Sequence, residues 1–149
     1  AAAANRKIME CIPLNLSNFA WAFAVLPKVD PELLDAISDQ VIAQLANFGA
    51  QQLANTVWAF SWLQVSNQPW LDATASQAMK LLHEYGPQGL SNTAWAYAKL
   101  LVVDRPLLDA ISEQVRTKIH EFHSQNLSNM SWSFAALSIV TEQFMDSIS

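Results

Sequence analysis

The segment Leu16-Ser17-Asn18 recurs as Leu53-Ala54-Asn55, Leu90-Ser91-Asn92 and Leu127-Ser128-Asn129, each time 37 residues further on. The same offset relates Trp21, Trp58, Trp95 and Trp132, then Phe23, Phe60, Tyr97 and Phe134. It also relates Leu26, Leu63, Leu100 and Leu137, and Asp35, Asp72, Asp109 and Asp146. A period in this range marks an array of short units, none of which can bury its apolar face except against its neighbours. That single feature removes most folds open to a chain of this size.

Each unit reads as two helices. Helix A runs from about Asn15 to Leu26 in the first unit and is rich in Ala, Trp and Leu with almost no charge. A helix apolar nearly all round is a buried one. Trp21 and Phe23, with their counterparts, are therefore expected to fill the spaces between units, because large aromatics dominate cores. Helix B opens at Asp30, Asn67, Asp104 and Thr141, all good N-cap residues. Pro31, Pro69 and Pro106 follow within the first turn, where a missing N–H costs little. The Asp35 row falls in or near that turn and suits the helix dipole, so it needs no chemical role. Trp70, with Leu33 and Leu107 as counterparts, reads as core. Gly49 and Gly86 are expected to terminate two of the B helices, with Pro87 as a firm stop.

These readings predict an all-α fold, an α-solenoid of stacked two-helix repeats, as one domain over 1–149. The tail of a preceding repeat occupies 1–15, full repeats occupy 16–52, 53–89 and 90–126, and a partial repeat occupies 127–149. Neither end shows the polar cap of a free solenoid. The expectation is a piece of a longer array, or one docked at its ends.

Composition narrows the function. Hydrophobic residues make up 52% of the chain and charged ones only 14%, against roughly 25% charged in an ordinary soluble domain. Such a surface suits a covered one. The net charge of −5 runs against the basic balance normal for nucleic-acid binders. Cys11 is the only cysteine, which excludes an internal disulfide and a cysteine-rich zinc site. His120 and His123 lie three apart without a carboxylate or thiol on the same face, a weak metal signal. There are three glycines and no glycine-rich phosphate loop. No apolar stretch reaches the roughly 20 residues of a membrane span, and no signal peptide is legible at the start. No enzyme, cofactor, metal or small-molecule substrate is expected.

A contact surface can still be placed. Unrolled at about 100° per residue, helix A carries on one face the residues that vary between units. Its leading column reads Asn15, Gln52, Gly89, Asn126; one turn on it reads Phe19, Thr56, Thr93, Met130; its last reads Val25, Trp62, Lys99, Ala136. Between them runs the invariant row Asn18, Asn55, Asn92, Asn129. The partner-binding strip predicted from this face is Asn15, Asn18, Phe19, Gln52, Asn55, Thr56, Trp62, Asn92, Thr93, Lys99, Asn126, Asn129 and Met130. Trp62 stands outside the repeat core columns and is expected at the surface. The Asn row has two readings. It tethers helix to helix, since buried amides must be satisfied, or it meets a ligand, as in repeats that read one RNA base with two or three side chains.

The signature Leu90-Ser91-Asn92-Thr93-Ala94-Trp95-Ala96-Tyr97-Ala98-Lys99-Leu100, repeated in 37-residue units, resembles the heptatricopeptide and octotricopeptide repeat proteins of algae and related protists. The resemblance covers 16–149. It implies an α-solenoid in a plastid or mitochondrion that binds single-stranded RNA along helix A, stabilising or processing transcripts or bracing ribosomal RNA. Low charge, acidic balance and uncapped ends point instead to a scaffold bound to other protein subunits in a large assembly, organellar as the resemblance implies. That is the primary expectation, with RNA binding as its alternative.

Overall fold

A computed structural model describes the backbone of residues 2–148 and the side chains of residues 6–138. Among the described residues there are eight α-helices and no strand. They are α1 (Ala2–Met9), α2 (Pro13–Ala24), α3 (Pro31–Gln44), α4 (Ala50–Trp62), α5 (Gln68–Leu81), α6 (Pro87–Lys99), α7 (Arg105–Lys118) and α8 (Ser124–Ile148). Helices α2, α4, α6 and α8 pack side by side in one layer, the A layer. Helices α1, α3, α5 and α7 form the second, the B layer. The core lies between and within the layers. Leu16, Leu53 and Leu90 from the A helices meet Ile37, Val41, Trp70, Leu107 and Ile111 from the B helices, all with their side chains out of solvent.

The start of each B helix follows from local chemistry. The Asp30 carboxylate accepts from the Glu32 N–H, the Asn67 side chain from the Trp70 N–H, and the Asp104 carboxylate from the Leu107 N–H, each at 3.0 Å. These caps satisfy donors that the first turn leaves unpaired. The glycines act differently from expectation. Gly49 and Gly86 have φ of −78° and −79° and are the N-caps of α4 and α6. The B helices instead close through 3₁₀ turns at Leu45–Asn47, Leu82–Glu84 and Ile119–Glu121, each followed by an extended aromatic, Phe48, Tyr85 or Phe122. With a tightened last turn and an extended exit, no left-handed glycine is needed.

The left-handed residues sit at the ends of the A helices, at Gln64 (φ 59°) and Leu101 (φ 56°). The Val65 N–H reaches back to the Phe60 carbonyl at 3.0 Å, and the Val102 N–H to the Tyr97 carbonyl at 2.9 Å. This is the reverse-turn closure that normally carries glycine. A residue with a Cβ costs roughly 1–2 kcal/mol there. Leu101 is 61% exposed and has little packing to lose. Leu101→Gly is therefore expected to raise stability by about 0.5–1 kcal/mol, read as a higher urea midpoint. A lower midpoint would mean that the Leu101 side chain holds the turn in place.

The predicted fourth B helix does not begin at Thr141, because α8 continues to Ile148. Residues 138–149 contain neither proline nor glycine, so nothing local interrupts the helix as it is interrupted in the earlier units. The side chains of Thr141, Met145 and Asp146 lie outside the described residues.

Candidate functional site

Four positions on each A helix, spaced by four, three and four residues, lie on one side of the helix. In α4 they are Gln51, Asn55, Trp58 and Trp62, and in α6 Gln88, Asn92, Trp95 and Lys99. In α2 they are Leu14, Asn18 and Trp21, with Val25 at its C-cap, and in α8 Gln125, Asn129, Trp132 and Ala136. All of these side chains are exposed or half-buried. Since the A helices pack in a row, the positions form columns across the layer, and two of the columns are uniform: one of asparagines, one of tryptophans.

The tryptophan column corrects the reading from sequence. Trp21 and Trp132 are 54% and 51% exposed, and Trp58 and Trp95 are half-buried, so the indoles do not fill the spaces between units. Phe60 and Tyr97 do that from the neighbouring column, fully buried. The indoles instead form a surface ladder. Ring centroids lie 6.3 Å apart from Trp58 to Trp95 and 6.2 Å from Trp95 to Trp132, at interplanar angles of 34° and 32°. Trp62, 46% exposed as expected, meets Trp95 at 5.3 Å and Trp58 edge-on at 6.0 Å. The Lys99 ammonium lies over the Trp62 ring, 4.0 Å from its centroid, and 5.4 Å from that of Trp95. Helical spacing held the missing signal. Trp58 lies one turn before Trp62, so a surface Trp62 places Trp58 on the same side. The column Leu14, Gln51, Gln88, Gln125 is exposed on the same side.

The amide column stands beside the ladder. Among the described residues, the side-chain amides of Asn18, Asn55, Asn92 and Asn129 make no hydrogen bond, so they do not tether one helix to the next. A bond that crosses between A helices runs from Ser91 Oγ to the Asn126 carbonyl, at 3.2 Å. Two open grooves run between successive A helices at this end. One, of about 270 Å³, is bordered by Gln51 and Asn55 of α4, Gln88 of α6, and Glu84. The next, of about 290 Å³, is bordered by Gln88 and Asn92 of α6, Gln125, Asn126 and Asn129 of α8, and His123.

The remaining predicted strip residues face elsewhere. Thr56, Thr93 and Met130 are buried between A helices, while Phe19 in their column is exposed on α2. The Thr56 hydroxyl donates to the Gln52 carbonyl at 2.7 Å. Asn15 accepts from the Ile12 N–H and Asn126 from the His123 N–H, bracing the starts of α2 and α8. Gln52 is half-buried. The exposed face is thus turned by about one residue from the one read from the sequence. The tryptophan row takes the solvent side of this face, and Thr56, Thr93 and Met130 take the buried side.

Among the described residues no three His, Cys, Asp or Glu side chains come together to hold a metal ion. His120 has Glu121 beside it at 3.8 Å, with both side chains exposed. No described helix is long and apolar enough to cross a membrane. What this face offers is stacking surface, free amide donors and acceptors, and little charge.

Residues 14–143 match the model of one protein family, described as RESC6, RNA-editing substrate-binding complex 6 protein. No curated protein matches the chain. The match is to that family and not specifically to the heptatricopeptide or octotricopeptide proteins that the signature resembles, and it gives no support to a plastid.

Proposed function

We infer a role for this chain from the fact that it belongs to the RNA-editing substrate-binding complex 6 family: it is a non-catalytic helical-repeat subunit of an assembly that handles RNA-editing substrates. Other protein subunits hold it through the indole and amide face of the A layer. The observation that carries this reading is the surface ladder Trp58–Trp95–Trp132 with Trp62 beside it. Exposed tryptophans in a contiguous patch are costly in a free protein and typical of the centre of an interface. The only cation in the four columns is Lys99, and interface centres are depleted of charge. An organellar location, as the resemblance implies, remains part of this reading.

The test is to express the tagged full-length protein in its native cells with Trp58, Trp95 and Trp132 replaced by serine. The size of the particle that carries it is then followed by sedimentation. The triple variant is expected to keep its helical circular dichroism and to move from a large particle to the free fraction. A variant that stays in the large particle would remove the ladder as the contact.

The amide-lined grooves favour a second reading, in which single-stranded RNA stacks its bases on the indoles and offers its base edges to the Asn and Gln rows. Under that reading, nuclease treatment alone would release the unaltered protein. The purified chain would also bind a random single-stranded RNA pool with an affinity falling steeply as salt rises.

A further inference from the structure

We propose that the indole and amide face of the A layer docks an extended, arginine-rich segment of a partner protein. The proposal rests on the protein-contact reading above and names the chemistry of what is bound.

Lys99 already shows what this face accepts. Its ammonium lies over Trp62 and near Trp95, the position in which a cation is attracted by the negative face of an indole. Trp132, half exposed, has ring area that carries no such cation. The chain is acidic overall, at −5, and a carboxylate, Glu84, borders the groove beside Asn55 and Gln88. Glu84 lies 3.6 Å from His83 Nε2, and the Lys118 ammonium is held by the carbonyls of His83 and Tyr85 on either side of it, at 2.9 and 2.7 Å. The long-range field of the acidic chain therefore favours a basic segment over a phosphate chain, and the ring faces are what the surface itself offers to a cation.

Arginine suits the face better than lysine does. A guanidinium is planar, stacks on an indole, and directs its N–H groups outward in its own plane. In-plane acceptors are what the free amide oxygens of Asn92 and Asn129 supply next to Trp95 and Trp132. An ammonium satisfies the charge but neither the stacking nor the fork. The spacing also fits an extended chain. Alternate residues of a strand lie roughly 6.6–6.8 Å apart and point the same way. The indole centroids step by 6.3 and 6.2 Å. Every second side chain of such a segment thus lands on the next indole.

The probe is a 12-residue peptide alternating Arg and Thr, titrated into the full chain while tryptophan fluorescence is read, beside the matching Lys-Thr peptide and a 12-nucleotide oligouridylate. The Arg peptide is expected to bind at about micromolar strength, with the Lys peptide about fivefold weaker. Trp95→Leu with Trp132→Leu keeps apolar bulk but removes the ring faces, and should weaken the Arg peptide about tenfold. Glu84→Gln should weaken it about threefold. Lys99→Gln should tighten it, because the resident cation leaves Trp62 and Trp95 open and a like charge is gone. A phosphate-binding face would respond to Lys99→Gln in the opposite direction. Equal binding of the two peptides, indifference to the double Leu substitution, or tighter binding of the oligouridylate than of the Arg peptide would overturn the proposal. If the serine variant leaves its native particle yet neither peptide binds, the contact face stands and this partner chemistry is wrong. If the serine variant stays in the particle, the contact reading itself has failed.

Discussion

Trp70→Ala is expected to lower the stability of the chain by about 4 kcal/mol, while Trp132→Ala lowers it by less than about 1 kcal/mol. The two residues are of the same type and both sit on helices, but they do opposite things. Trp70 is 1% exposed and stacks on Phe60 with ring centroids 4.2 Å apart, pinning α5 to α4 across the two layers. Its removal forfeits the transfer free energy of a whole indole and leaves a void between layers that close-packed neighbours refill only in part. Small domains have a total stability of about 5–15 kcal/mol, so this loss is a large share of the whole. Trp132 keeps half its surface in water and touches its ladder neighbour at 6.2 Å. It forfeits an aromatic pair worth about 0.5–1.5 kcal/mol and regains the hydration of an exposed apolar patch. Urea midpoints followed by far-ultraviolet circular dichroism, which does not depend on the substituted chromophore, separate the two. A Trp132→Ala midpoint as low as that of Trp70→Ala would mean that the ladder is core after all, and the contact face would go with it.

That contrast marks how far the sequence could be read. The all-α class, the helix starts at Asp30, Asn67 and Asp104, and the burial of Trp70 were legible because each depends on local rules: a repeat offset, a capping side chain, a column of apolar counterparts. The exposed face was half legible. Asn18, Asn55, Asn92, Trp62 and Lys99 were placed on it, and they are there. Trp58, Trp95 and Trp132 were not, since periodicity alone reports that a position is shared and not whether it is shared as core or as surface. In a repeat array both kinds of position recur with the same offset. Here Phe60 and Trp58, two residues apart on α4, take the two roles, and the larger ring is the one outside. The two glycines failed for a related reason. Gly49 and Gly86 stand between two helices, and only the backbone angles tell which helix they serve.

Raising the pH above 10 is expected to unfold the chain in a way that depends on its two tyrosines, Tyr85 and Tyr97. Both are 1% exposed. The Tyr97 hydroxyl donates to the Leu71 carbonyl at 3.3 Å and lies 3.4 Å from the Thr74 hydroxyl. Burial pushes its pKa up to about 12, from an ordinary value of 10.0. Burial pushes the Tyr85 phenol up as well, against a smaller downward pull from the Thr93 hydroxyl. A folded-state pKa above the unfolded one means that the native protein holds the proton longer. The stability from these groups is therefore fully present below pH 10 and is lost as pH rises from 10 towards the folded value of about 12 for Tyr97. Within that window each phenol costs up to about 1.4 kcal/mol per pH unit, or nearly 3 kcal/mol per unit for the pair. Two units would remove about 5 kcal/mol, a third or more of the stability of a domain of this kind. Phe48, Phe122, Phe60 and Phe134 stand at the equivalent positions in other units, so Tyr85→Phe with Tyr97→Phe should fold normally at neutral pH. Urea midpoints measured for both proteins from pH 9 to 12 should diverge above pH 10, with the double variant holding its stability longer. Tyrosinate absorbance in the unaltered protein should appear together with loss of helix and not before it. Parallel decline of the two proteins, or ionisation of the tyrosines while the helices stay intact, would mean that water reaches these hydroxyls in the native state and that the two layers are less closely packed than Trp70 and Phe60 require.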